Sequence, residues 1–142
     1  MKKLFLAVLI LFTLTGCFNY HELENFGITS SILFDYEGDE YKITIEIVEK
    51  EEEEDKQVLY EGSGKTISDA LQKALLSAGK KLSYYHLNAV LLTENVDIHE
   101  VLLYLIRNPQ INNSFYVVLT ESKEVYDNEE DDLGKTISEI LK

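Results

Sequence analysis

Two lysines, Lys2-Lys3, stand before an unbroken apolar run over residues 4–12, and Leu14-Thr15-Gly16-Cys17 follows Thr13. A short cationic start, a greasy segment of this length and small residues at the far end make an export signal. A membrane-spanning helix needs about 20 consecutive apolar residues, and here Thr13, Thr15 and Gly16 interrupt the pattern first. Residues 1–16 are therefore expected to be removed, so that the chain folds outside the cytoplasm with Cys17 as its first residue. That compartment limits the cofactors and partners available to it.

The position of Cys17 directly after Leu-Thr-Gly resembles the bacterial lipobox. The resemblance implies that its thiol receives a diacylglyceryl group before cleavage, which makes Cys17 a lipidation site that ties the mature chain to the membrane. Each buried acyl methylene adds about 0.8 kcal/mol to such an anchor. Cys17 is the only cysteine of the chain, so it has no intramolecular disulfide partner and belongs to no Cys-based metal set.

Of the 142 residues, 126 remain after residue 16, a normal length for one domain with its own core. The formal net charge is −13 for the whole chain and −15 without Lys2 and Lys3. Such acidity excludes a nucleic-acid binder and disfavours lying flat on an anionic lipid surface. Four regions are expected: the signal at 1–16, a lipid-anchored segment at 17–27, a single domain at 28–121 and an acidic tail with a short helix at 122–142. Within the anchored segment Tyr20, Leu23 and Phe26 recur every three residues, as one side of a turn or two of helix would require.

Residues 28–36 and 41–48 are rich in β-branched and aromatic side chains, and Tyr41-Lys42-Ile43-Thr44-Ile45-Glu46-Ile47 alternates apolar with polar as a half-buried strand does. The turn residues Glu37-Gly38-Asp39-Glu40 between them predict an antiparallel hairpin. Residues 49–56 hold six acids and two lysines, which predicts a solvated loop or fraying strand end; the alternation and turn glycine of a calcium loop are missing. A third strand resumes at 57–61. Apolar residues at 67, 71, 74, 75 and 78 predict a helix capped by Thr66 and stopped by Gly79. A buried strand follows at 87–93, then a helix capped by Asp97 with the stripe Ile98, Val101, Leu102, Leu105 and Ile106, ended by Asn108-Pro109. Residues 115–120 form the last strand. Gly134-Lys135-Thr136-Ile137-Ser138 repeats the letters of residues 64–68 and reads as a second helix start. The fold class expected is α/β (α+β), with a mixed sheet of about four to five strands and two helices packed on one face.

Gly62-Ser63-Gly64-Lys65-Thr66 is an incomplete phosphate loop, because Leu59 stands where the first glycine is required; no nucleotide is expected. His86 has no cysteine or second histidine at ligand spacing, which favours a hydrogen-bonded structural role over metal binding or base catalysis. No catalytic residue, metal site or cofactor is expected.

Gly16-Cys17-Phe18-Asn19-Tyr20-His21-Glu22-Leu23 resembles the opening of the C-subunit lipoproteins of spore germinant receptors, the Ger(x)C family, with Phe18 in place of the usual Trp. Gly64-Lys65-Thr66-Ile67 is similar to that family's helix start, Tyr84-Tyr85-His86-Leu87 to its entry into a hydrophobic strand, and Leu105-Ile106-Arg107-Asn108-Pro109 to its ending of a helix. The match extends in order over about residues 16–120, the first domain of a longer family. The resemblance implies a non-enzymatic subunit of a membrane complex, anchored through Cys17 on the outer face of the spore inner membrane. Its partners would be integral membrane subunits of a germinant receptor. His86, Arg107 and Pro109 occupy motif positions that a structural role also explains. The alternatives are a free-standing extracytoplasmic lipoprotein that binds a small ligand or peptide, and a truncated paralogue that does not assemble.

Overall fold

The computed structural model describes residues 26–51, 54–112, 114–127 and 132–142; the signal, Cys17 and most of the anchored segment at 17–27 lie outside them. The first strand, β1 (Phe26–Glu37), turns through Gly38 and Asp39 into β2 (Glu40–Glu51). Both turn residues have positive φ, 62° and 64°. Such a pair marks the tight hairpin turn whose twist matches that of the strands, with Gly and Asp among the residues that tolerate it best. Phe26, expected on one side of a helical turn, instead begins β1. The acidic stretch continues the ladder: β2 pairs antiparallel with β3 (Glu54–Gly64), with Glu49 opposite Lys56 and Lys50 opposite Asp55. The stretch expected as a loop or fraying strand end thus runs as strand to Glu51 and again from Glu54.

The helix α1 (Ile67–Ala78) begins at Thr66, whose Oγ1 accepts from Asp69 N at 3.2 Å, and ends at the left-handed Gly79. Its Ala70, Leu71 and Ala74 lie in the core. Gly62 and Gly64 are explained by this packing. A Cβ at Gly62 would run into the backbone of Ala70 and Ala74, and one at Gly64 into Asp69 and Ala70. These glycines bring strand and helix into close contact.

A short strand, β4 (Lys81–Ser83), runs parallel to the start of β1, and β5 (Ala89–Thr93) runs parallel to its middle. Both lie on the same side of β1, one after the other, with residues 84–88 looping out between them; Asn88 N donates to Ser30 O at 2.8 Å where the pairing resumes. The strand expected over 87–93 therefore begins two residues late. The next helix, α2 (Ile98–Arg107), is capped by Asp97, whose carboxylate accepts from His99 N and Glu100 N. It returns the chain to β6 (Tyr116–Thr120), parallel to β5. The resulting mixed sheet runs β3-β2-β1-β5-β6, with β4 beside β1.

Ile32, Phe34, Ile43, Ile45, Ile47, Val90 and Leu92 form one face of the sheet and meet α1 and α2 in the main core. Tyr41 joins β2 to α2 through its hydroxyl, which donates to Glu100 at 2.5 Å; burial and this carboxylate push its phenol up to about 12. Only Val101 and Leu105 of the expected α2 stripe are buried, while Ile98 and Ile106 are exposed. A third helix, α3 (Leu133–Ile140), lies on the opposite face with the 3-10 turn Lys123–Tyr126. There Tyr126 and Leu133 pack on Leu33, Ala89 and Leu91 as a second core. The acidic tail thus contributes to the packing of the domain it follows.

Replacing Gly62 by Ala is expected to destabilise the chain by about 1–3 kcal/mol, the usual cost of overpacking against backbone that cannot yield. Replacing solvent-facing Ser63 by Ala should leave the midpoint of urea unfolding almost unchanged. Equal midpoints for the two variants would refute the close strand–helix contact.

Candidate functional site

The second face of the sheet is where the chain places its most unusual polar group. Glu46 sits in the middle of β2 with 0% of its surface exposed. Its alternation with Ile45 and Ile47 predicts a solvent-facing side chain, but this face is covered by the C-terminal segment. Four donors converge on the carboxylate. Oε1 accepts from Gln57 Nε2 at 2.8 Å and from Leu133 N at 2.7 Å. Oε2 accepts from Ser31 Oγ at 2.5 Å and from Gly134 N at 3.1 Å. The donors come from β3, β1 and the first turn of α3, so a single side chain ties three elements together.

Local structure explains why these groups meet. The β1–β2 register shifts between Thr29 and Ser31, leaving Ser30 as an extra residue. Such a bulge re-aims side chains: Ser31 lies directly across from Glu46, and Ser30 Oγ donates to Asp132. Asp132 also accepts from Lys135 N at 2.9 Å as the N-cap of α3. The first-turn N–H groups of α3, which no intrahelical carbonyl can satisfy, are thereby divided between its own cap and Glu46. A carboxylate at a helix N-terminus is also favoured by the helix dipole. Gly134 is required because a Cβ there would run into the Ser30 carbonyl. Thr136, expected to start this helix as Thr66 starts α1, lies inside it with its hydroxyl on Asp132 O.

Burial pushes the Glu46 carboxyl above its ordinary value of 4.5; Ser31, the Leu133 amide and Gln57 pull it down, while nearby Asp132 adds to the rise. Behind Ser31, the Tyr126 hydroxyl sits 2.9 Å from Ser31 Oγ, its phenol held above its usual range chiefly by burial. Fully enclosed, with two donors on each oxygen, Glu46 has the geometry of a structural clamp rather than of a group that meets a substrate.

A cleft of about 770 Å³ opens elsewhere on this face, lined among others by Asp35, Lys42, Thr44, Glu61, Asn95 and Lys123. Two of its lysines are paired with lining carboxylates, and one of its carboxylates is hydrogen-bonded to a hydroxyl. Lys42 pairs with Glu37, Lys123 lies 3.2 Å from Glu61, and Asp35 accepts from Thr93 Oγ1 at 2.6 Å. The arrangement can hold a small polar molecule by hydrogen bonds; its lining sets the carboxylates Asp35, Glu37, Glu61 and Glu121 against Lys42, Lys73 and Lys123.

The residues singled out in the sequence are not assembled into one site. His86 is exposed in the loop between β4 and β5. Arg107, at the last turn of α2, lines a shallow depression with Thr66 and Tyr104; Pro109 borders another with Tyr84 and Tyr85. Cys17 lies outside the described residues. Among the described residues no group of three or more His, Cys, Asp or Glu is placed to hold a metal, and no helix is long and apolar enough to cross a membrane. Sequence reasoning missed Glu46, Ser31 and Gly134. The signal for them was the fully apolar Ala89-Val90-Leu91-Leu92, which requires cover on both faces of the sheet.

The residues from 19 to 142 match the family model described as the spore germination protein N-terminal domain. No curated protein and no solved structure matches the chain.

Replacing Glu46 by Gln turns one of its two oxygens into a donor facing two donors, which should cost about 1–3 kcal/mol at neutral pH. Because the folded value is raised, the folded chain holds the Glu46 proton more tightly than the unfolded chain. This contribution is complete below 4.5 and is lost as pH rises from there through the folded value. The stability difference between wild type and Glu46→Gln should therefore shrink across that window in paired urea titrations. A difference that is constant with pH would contradict the burial of this carboxyl.

Proposed function

The chain belongs to the spore germination protein N-terminal domain family, and from that premise we propose that it is a non-enzymatic, lipid-anchored subunit of a nutrient germinant receptor. The observation that carries this reading is the order of its parts. The family match begins at residue 19, two positions after a cysteine set behind Leu-Thr-Gly at the end of an export signal. A lipid on Cys17 would tether the domain to the outer face of the spore inner membrane. The acidic domain is repelled by anionic headgroups and would stand off the surface, free to meet integral membrane subunits.

Two structural features support a role in contact rather than catalysis. A buried ionisable group, Glu46, is spent on clamping α3, and apolar side chains remain exposed on α2 and β6. The cleft over the second face favours one other reading, a surface lipoprotein that binds a small polar ligand there.

Gentle detergent extraction of spore inner membranes containing the tagged chain should recover it with integral membrane receptor subunits. The Cys17→Ser variant should lose lipid modification, membrane attachment and those partners together. Recovery of lipidated chain without any membrane partner would overturn the receptor role, and a saturable shift in its thermal unfolding with a small solute would then favour the ligand-binding reading.

A further inference from the structure

The two edges of the sheet are built differently. At one, β3 carries Glu54, Asp55, Lys56 and Glu61 within eleven residues, the charge that commonly keeps an edge from pairing with another chain. At the other, β6 reads Tyr-Val-Val-Leu-Thr, with no charge and no proline. Tyr116 N donates to Asn88 O at 2.8 Å, which fixes the direction of the backbone groups. Residues 116, 118 and 120 turn theirs toward β5, so Val117 and Leu119 turn their N–H and C=O toward the open edge.

The side chains of these same two residues are also uncovered. Val117 pairs with Val90 and Leu119 with Leu92, whose side chains face the helices. Yet Val117 and Leu119 are 44% and 62% exposed. On the same face of the sheet, α2 packs through Val101 and Leu105 into the core that holds Val90 and Leu92. Its Tyr104 and Arg107 line the depression shared with the start of α1, so Ile98, Leu102 and Ile106, a quarter-turn or more round the helix, lie on the flank away from α1. Ile98 and Ile106 are exposed as well. At the C-terminal end of the strands, Glu94 and Glu121 follow the in-register residues Thr93 and Thr120. Both are exposed, and neither has an ion pair among the described residues.

We infer that the edge of β6 and the adjoining flank of α2 receive an extended segment of a partner polypeptide as an additional strand, with apolar side chains at alternate positions and a lysine or arginine over Glu94 and Glu121. Main-chain hydrogen bonds to Val117 and Leu119 hold such a strand, and its alternate side chains fill the strip between β6 and α2. Charge selects the occupant. A second copy of this chain, itself at −13, is disfavoured by overall like-charge repulsion, whereas a cationic segment neutralises Glu94 and Glu121. The inference rests on the receptor role proposed above and names the surface that serves it.

The test uses the full, lipidated chain in spore membranes, with a photoreactive benzoylphenylalanine at Ile106 and, as a control, at Leu76, an exposed residue of α1. Irradiation should link position 106, and not position 76, to one receptor-subunit segment of the stated pattern. Leu119→Pro removes an outward N–H, which an edge strand tolerates, together with an exposed leucine side chain, and should lower the yield at least about five-fold, as loss of one interchain hydrogen bond alone gives. Should that variant fail to accumulate, Val117→Lys, a guard of the kind β3 carries, must produce the same loss. Receptor subunits that co-purify without a link at position 106, a link to a second copy, a link to a segment of another pattern, or a yield unchanged by these variants would overturn the inference and leave the receptor role standing. Absence of any co-purifying subunit would overturn both.

Discussion

A carboxylate with no exposed surface holds the two halves of this fold together. Taking an ion of that kind out of water costs several kcal/mol unless donors replace the lost hydration, and for Glu46 four donors do so. Several otherwise unrelated features follow from this requirement. The bulge at Ser30 sets Ser31 across from Glu46. Gly134 has no side chain because the Ser30 carbonyl occupies its space, and Asp132 takes the remaining first-turn donors of α3 so that Leu133 and Gly134 can serve Glu46. Acidic residues that look dispensable in the sequence end as cap and clamp of the second core.

Much of the first face was legible because local rules and packing agree there. Thr66 and Gly79 bound α1, Asp97 caps α2, and Gly38-Asp39 makes the hairpin turn, each by backbone chemistry that needs no distant partner. The second face was not legible, for a physical reason. A polar residue in an alternating strand points to water only if nothing covers that side, and the cover at Glu46 arrives from Leu133 and Gly134, 87 and 88 positions later. Thr136 misled in the same way: its letters match those around Thr66, but the contact between Gly134 and Ser30 draws the start of the helix forward to Leu133. His86 lies in the loop between β4 and β5, Arg107 ends α2 and Pro109 follows it, scattered over the surface, so their motif positions carry no common geometry.

The same division of labour runs through the functional reading. A membrane-tethered contact subunit needs a rigid body and an accessible face. The clamp supplies the first by fixing α3 and the 3-10 turn against β1, β2 and β5, and the exposed apolar residues of β6 and α2 offer a face of the second kind. The charged β3 edge, by contrast, keeps the opposite side of the sheet from pairing at random.

Backbone amide hydrogen exchange at Leu133 and Gly134 tests the clamp most directly. If Glu46 holds α3 as described, both amides exchange only through the opening that also exposes the β1–β2 hairpin, and their protection falls selectively when Glu46 is replaced by Ala. Exchange of these two amides within seconds, while the hairpin stays protected, would mean that α3 rests on the sheet without the carboxylate's hold and would contradict the account.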